Sequence, residues 1–302
     1  MRRIHLLPNL LTLANCFCGL LAVAKGIDAL AFAHVEGPTF YSKLATACWL
    51  VFLGMLFDAL DGKVARIVGG ASSFGAQLDS FSDLITFGLA PAMLVKVLVE
   101  HEGPILGYTV NPRVHFIAAA VFTTMAMLRL ARFNLETEPD EAAHRSFKGL
   151  PSPSAAGAVC ATMLMYLSLR NPAIERSDGT LTPLGAILRW FPQIEKSPFL
   201  YWFLPVLAFM LPVLGLLMVS RIRYTHIVSA LTGRGQFVTL VGVVFCAFCL
   251  FVAPVLAVFF VFNTYVVAGV LRGLGSKRDR GGPGPEVGER ELEHAFGSER
   301  GP

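Results

Sequence analysis

Charge is what this chain has least of. Only 15% of its 302 residues are Asp, Glu, Lys or Arg, whereas an ordinary soluble domain carries about a quarter. With 54% hydrophobic residues and a mean hydropathy of +0.60, the composition excludes a water-soluble globule and, for most of the length, disorder. The net charge is only +4, from 25 basic and 21 acidic residues, so there is no basic footprint for nucleic acid. Cysteine is equally uninformative. Cys16, Cys18, Cys48, Cys160, Cys246 and Cys249 all lie in apolar runs, and the Cys246-x-x-Cys249 pair has no second pair or nearby His. Neither a disulfide framework nor a zinc-thiolate site is indicated. What is abundant is Phe (24), Gly (28) and Pro (18), a composition that suits helices packed in a bilayer.

A bilayer core takes about 20 mostly apolar residues per helix. Such runs occur at 8–26, 41–60, 76–99, 114–134, 154–170 and 199–220, followed by a 34-residue apolar stretch at 237–270. That stretch divides into two short spans if Ala253-Pro254 seats a tight turn, or forms one long kinked helix. Charge asymmetry favours two, giving eight spans. Arg2, Arg3, Lys63, Arg66, Arg129, Arg132, Arg145, Lys148, Arg221, Arg223, Arg234 and six basic residues of the tail then share one side, 17 of the 25. The positive-inside rule makes that side cytoplasmic, with both termini on it. The expected fold is thus an all-α polytopic membrane protein, with residues 1–271 as a transmembrane catalytic domain and 272–302 as a disordered cytoplasmic tail. The tail is Gly/Pro-rich and carries six acids and six bases, so the whole +4 belongs to residues 1–271.

Two segments need separate reading. Arg2-Arg3 followed by an apolar run imitates a secretory signal, but Pro8, Asn9, Thr12 and Asn15 interrupt the apolar core, so a retained first helix is expected. Residues 184–197, with Trp190 as an anchor, either lie along the outer interface or form an ordinary loop.

The acids that remain are concentrated. Asp58 and Asp61 are three apart at the end of the second span, and Asp79 and Asp83 four apart at the start of the third. Each pair projects from one helix face, and the short connection makes the two helices antiparallel neighbours. Four carboxylates converging at a membrane boundary repel one another unless cations intervene. Carboxylate oxygens suit hard ions such as Mg²⁺, Mn²⁺ or Ca²⁺, and the absence of His and Cys argues against zinc. Two divalent ions balance four negative charges, an arrangement suited to clamping the attacking and leaving oxygens in phosphoryl chemistry. Gly62, Ala65 and Gly75 leave room among the carboxylates, and Arg66 offers a fork of donors for a phosphate oxygen. Pairing of the acids with Lys63 and Arg66 alone would account for neither their number nor the glycines.

The arrangement Asp58-x2-Asp61-Gly62-x2-Ala65-Arg66-x8-Gly75-x3-Asp79-x3-Asp83, eight fixed positions in 26 residues, resembles the complete motif of the CDP-alcohol phosphatidyltransferase family. The resemblance implies a six-helix membrane core, here with a C-terminal pair of helices added, and a homodimer. It implies cleavage of a CDP-linked donor and transfer of its phosphoryl-bearing part to an alcohol. Asp58, Asp61, Asp79 and Asp83 would be metal ligands for Mg²⁺ or Mn²⁺, with Asp83 also the general base. Asp58, Gly62, Ala65, Arg66, Gly75 and Asp79 would bind the CDP donor.

The entry to the first helix, residues 7–15, resembles the same family. Residues 129–134 and 147–156 resemble its phosphatidylserine synthase branch, which implies CDP-diacylglycerol and L-serine as substrates in the cytoplasmic membrane. A zwitterionic acceptor needs a cation for its carboxylate and oxygen acceptors for its ammonium. Arg129, Arg132 and Lys148 could supply the first, Asn134 and Ser152 the polar contacts, unless the basic residues serve only topology or lipid headgroups. Other acceptors, glycerol 3-phosphate or inositol phosphate, would keep the donor site and change this basic loop. A transporter would place acids near mid-bilayer on several spans and show internal repeats, neither of which is found.

Overall fold

A computed structural model describes residues 6–33, 39–68, 73–107, 111–136, 147–171, 176–177, 180–181, 198–220, 222–224, 242, 244 and 247–278. The protein is all-α. Its helices are α1 (Leu6–Leu30), α2 (Thr39–Ile67), α3 (Ser73–Asp83), α4 (Ala90–Ile105), α5 (Pro112–Glu136), α6 (Ser152–Arg170), α7 (Pro198–Val219) and α8 (Pro254–Arg278). Two-residue ladders pair β1 (Phe147–Lys148) with β4 (Arg223–Tyr224) and β2 (Arg176–Ser177) with β3 (Thr180–Leu181). Among the described residues, seven helical stretches are long and apolar enough to cross a membrane, and the chain is an integral membrane protein.

The six spans expected up to residue 220 are present, each extending at one or both ends beyond its apolar run. The third is not a uniform helix. Between α3 and α4, Leu84–Leu89 form a π-helical turn in which the Ala90 N–H bonds back to the Ile85 carbonyl. Near the expected break at Ala253-Pro254, residues 247–252 are helical, Ala253 is not, and α8 starts at Pro254. The Trp190 segment (184–197), Cys246, Arg145 and most of the tail (279–302) lie outside the described residues, while α8 runs past the expected tail boundary to Arg278.

Packing follows the pattern of small residues. On α1, Thr12, Asn15, Gly19, Ala22, Gly26 and Ala29 form an inward stripe, while Leu10, Leu13, Phe17, Leu20 and Ile27 face outward. A Cβ on Gly19 would sit 2.4 Å from Thr86 Oγ1, and one on Gly54 2.6 Å from Thr86 Cγ2, so both glycines let α1 and α2 close on the π turn. Helix α6 is the central post. Its mean hydropathy of 1.3 is the lowest of the seven spans, yet 89% of its apolar window is buried. The reason is composition: Ala155, Ala156, Gly157, Ala158, Ala161 and Thr162 favour close helix contact over contact with lipid. At Gly157 a Cβ would fall 2.3 Å from the Phe262 ring of α8.

Contacts between helices fix their directions. Helices α1, α3–α4 and α6 start at the end of the bundle that holds the four aspartates, whereas α2, α5, α7 and α8 finish there. The segment before α6 docks on the end of α7: Gly149 N–H bonds to Ile222 O at 2.8 Å and Leu150 N–H to Leu217 O at 3.1 Å. Gly149 has φ +92°, and a Cβ there would meet Met218 O at 2.2 Å, so only glycine makes this turn.

At the opposite end the bundle is tied by Glu102 of α4, which is fully buried. Its carboxylate accepts hydrogen bonds from Tyr41 of α2, from the Tyr166 hydroxyl of α6 at 2.7 Å and from Arg170 Nε at 2.9 Å. His101 Nε2 lies 3.9 Å away and stacks against Phe40.

A carboxylate site at the membrane boundary

The site is assembled from three helices. Helix α2 ends on Asp58 and Asp61, α3 carries Asp79 and Asp83, and α1 presents Thr12 and Asn15 across from both. One carboxylate oxygen from each of Asp58, Asp61 and Asp79 lies within 4.8 Å of the other two. Asp61 and Asp83 are nearly buried, at 6% and 9% exposure.

Few protein donors reach these acids. Thr12 Oγ1 lies 2.8 Å from Asp61 Oδ2, the Gly62 backbone N–H also serves Asp61, and Asn15 Nδ2 donates to Asp83 Oδ1 at 3.1 Å. Asp79 Oδ1 and Asn15 Oδ1 are buried without a hydrogen-bond partner among the described residues. Two hydroxyls brace α1 itself: Ser82 Oγ donates to Thr12 O at 3.0 Å and Thr86 Oγ1 to Asn15 O at 2.9 Å. The π turn that follows Asp83 brings Thr86 to this contact, a local widening of the kind often found at functional sites.

These residues fit a hard divalent cation. The donors are all carboxylate oxygens, three converge, and a buried oxygen of Asp79 lacks a partner. At such separations, in a partly desolvated setting, mutual repulsion costs several kcal/mol unless positive charge enters. The fourth acid is set apart: Asp83 is not in the converging trio but is tied to Asn15 beside it.

The surrounding motif residues frame an open space. Gly62 is exposed, and a Cβ there would meet nothing within 4 Å, so packing inside the chain does not explain this glycine. Ala65 and Gly75 are half-buried, and Arg66 is exposed, with its Nε donating to Gly62 O at 3.0 Å. Of the five residues expected around the acceptor, Arg129 and Ser152 meet: Arg129 Nη1 donates to the buried Ser152 Oγ at 2.9 Å. Arg129 lies within electrostatic reach of Asp83, and its Nε is buried without a partner among the described residues. Asn134 is elsewhere. It is exposed and bonds with Ser80 Oγ at 3.0 Å, tying α5 to the outer face of α3. Arg132 is half-buried, and Lys148 is described only by its backbone, paired with Arg223.

Thr12 and Asn15 were not read as site residues from the sequence. Their signal was present nonetheless, as two polar residues three apart on one face of an apolar span. A separate apolar recess of about 350 Å³ lies between α4, α5 and α7 and is lined by Val99, Gly103, His115, Leu204, Phe209 and Pro212. It sits toward the opposite end of the bundle and holds no carboxylate, so it is not the reaction site.

A polytopic helical membrane protein with an all-carboxylate cluster at one end of its bundle is the class that fold and site define. The family model for CDP-alcohol phosphatidyltransferase matches residues 5–191, and the chain belongs to that family. It is similar to the CDP-diacylglycerol–serine O-phosphatidyltransferase of Helicobacter pylori (strain J99 / ATCC 700824), at 28% identity over 89% of this chain and 91% of the relative. The Bacillus subtilis (strain 168) enzyme of the same name is 31% identical over 63% of this chain and 92% of its own length. Archaetidylserine synthase of Methanothermobacter thermautotrophicus is 34% identical over 50% of this chain and 54% of its own.

Proposed function

We propose that this enzyme transfers the phosphatidyl group of CDP-diacylglycerol to the hydroxyl of L-serine, releasing CMP and forming phosphatidylserine. The observation that carries the donor chemistry is the convergence of Asp58, Asp61 and Asp79 within 4.8 Å, with Asp83 held beside them by Asn15. Serine as acceptor is supported by the names of the relatives and by half-buried Arg129, which donates to buried Ser152 and lies within electrostatic reach of Asp83.

Asp58, Asp61 and Asp79, with Asp83 at the edge, would hold one or two Mg²⁺ or Mn²⁺ ions. Such ions supply positive charge at the pyrophosphate oxygens and at the departing phosphate of CMP. The protein's own groups do the rest. The open surface at Gly62, Ala65 and Gly75 admits the cytidine nucleotide, and Arg66 is free to swing from Gly62 O to a phosphate oxygen. Asp83 accepts the proton of the serine hydroxyl as its oxygen bonds to the phosphatidyl phosphorus and the bond from that phosphorus to the oxygen of CMP breaks. Asn15 orients Asp83, and Thr12 orients Asp61, from a helix that carries no acid of the motif. Arg129 takes the serine carboxylate, and Arg132 and Lys148 add positive potential nearby.

Topology follows the same reading. Helices α7 and α8 both finish at the aspartate end, which supports one further crossing between residues 224 and 254, eight in all. Both termini and the site then face the cytoplasm, by the excess of Lys and Arg on that side. Residues 1–271 act as the catalytic domain, the first residues of the expected 272–302 tail continue α8 as far as Arg278, and homodimer formation rests on the family resemblance.

The test is CMP release by purified protein supplied with CDP-diacylglycerol, Mn²⁺ or Mg²⁺ and, in turn, serine, glycerol 3-phosphate or inositol phosphate. Serine-dependent CMP is expected. Release driven by another alcohol and not by serine would contradict the acceptor while keeping the donor chemistry.

A further inference from the structure

Near the Arg129–Ser152 pair, the C-terminal part of the chain supplies a second polar feature. Tyr224 follows α7 and is 98% buried, yet its hydroxyl has no hydrogen-bond partner among the described residues. The β1–β4 ladder sets Tyr224 opposite Phe147, five residues before Ser152, and so fastens it to the entry of α6. From the other side it is gripped by α8. Its ring lies 5.7 Å from that of Tyr265, and a Cβ on Gly269 would sit 2.0 Å from its Cε1. Gly269 thus gives up a side chain so that this ring fits. Burial, with the Tyr265 phenol beside it, pushes the Tyr224 hydroxyl up to about 12, so it keeps its proton at neutral pH. Electrostatic reach links the groups in sequence: Asp83 with Arg129, Arg129 with Tyr265, Tyr265 with Tyr224.

A buried phenol without a partner is destabilising, and a bound polar group removes that cost. Aromatic faces and phenolic oxygens attract ammonium groups, and the guanidinium of Arg129 attracts carboxylate. We propose that Tyr224 and Tyr265 form the ammonium-binding half of the acceptor subsite, opposite Arg129, and so select a small zwitterionic amino alcohol over acceptors that lack the ammonium. This inference rests on the serine reading given above, and it assigns specificity to a pair of residues outside the Asp58–Asp83 motif.

The experiment compares wild type, Tyr224→Phe and Tyr265→Phe, each with serine and with 3-hydroxypropionate, which keeps the hydroxyl and carboxylate and lacks the amine. In the wild type, serine-dependent CMP release must first be present; its absence would sink the serine reading itself and leave the tyrosines without this role. With that activity present, Tyr224→Phe is expected to raise KM for serine about tenfold. KM for CDP-diacylglycerol and for 3-hydroxypropionate should hold, so the preference for serine narrows by the same factor. Tyr265→Phe should do the same to a smaller extent. Unchanged serine KM in both variants, or equal losses for serine and 3-hydroxypropionate, would overturn the assignment. If neither variant folds, the hydroxyls serve packing and the assignment fails as well.

Discussion

The two ends of this bundle each bury acid among transmembrane helices, and they treat it in opposite ways. At one end a single carboxylate, Glu102, is surrounded by Tyr41, Tyr166, Arg170 and His101, so that every nearby polar group serves the acid. At the other, four carboxylates share Thr12, Asn15 and one backbone N–H, and a buried oxygen of Asp79 has no partner among the described residues. The first cluster joins α2, α4 and α6 and leaves nothing to bind. The second joins α1, α2 and α3 around a deficit of positive charge. A buried ionic group that is fully paired holds helices together, whereas one left under-neutralised inside otherwise well-packed helices is poised for a ligand. The contrast lies in how many donors meet each acid.

The contrast can be broken most severely at Asp79. Asp79→Asn keeps the shape and removes one charge, and CMP release should fall at least about a thousandfold. Metal-free Asp79→Asn should melt no lower than wild type, because one repulsive charge is gone; a lower melting temperature would show that the acid is structural. At the other end the signs reverse. Glu102→Ala leaves Arg170 and two tyrosine hydroxyls without their shared acceptor, at about 3–5 kcal/mol in stability. Thermal unfolding in detergent should register that loss, while turnover per folded molecule, well below the melting temperature, stays within a factor of about two.

Smaller changes sharpen the comparison. Asn15→Leu removes the side-chain donor to Asp83 and should lower kcat about 10- to 100-fold with little change in KM for CDP-diacylglycerol. A matching rise in that KM would place Asn15 in donor binding instead. Tyr41→Phe removes one of several donors to Glu102, worth about 1 kcal/mol, read as a few degrees in melting temperature with activity unaltered.

Much of this was legible in the sequence, for reasons visible at particular residues. The spans announce themselves through runs of apolar side chains, and the aspartates through spacings of three and four that put each pair on one face. Helices α2 and α3 run antiparallel into one site, as their short connection predicts, but each packs chiefly on α1 rather than on the other, which the connection did not encode. What spacing does not encode is pairing between distant helices. Thr12 meets Asp61 across 49 positions and Glu102 meets Arg170 across 68, and each of these polar residues alone resembles an ordinary one within or near the end of a span. Asn134 shows the converse. It lies two residues from Arg132 in a basic segment that suggested an acceptor pocket, yet helical rotation carries it to Ser80 on the outside of α3. Tyr224 gave no signal, because its burial comes from Gly269 and from pairing with Phe147, both far from it in sequence and on different elements.

The most direct test concerns positive charge at the aspartate end. Mn²⁺ titrated into purified, metal-free protein should bind, as counted by electron paramagnetic resonance, and raise the melting temperature by mass action. Asp79→Asn should lose that binding, whereas Glu102→Gln should keep it from a lower starting temperature. Mn²⁺ that does not bind wild type, or that binds Asp79→Asn equally well, would contradict the assignment of Asp58, Asp61 and Asp79 as a cation site.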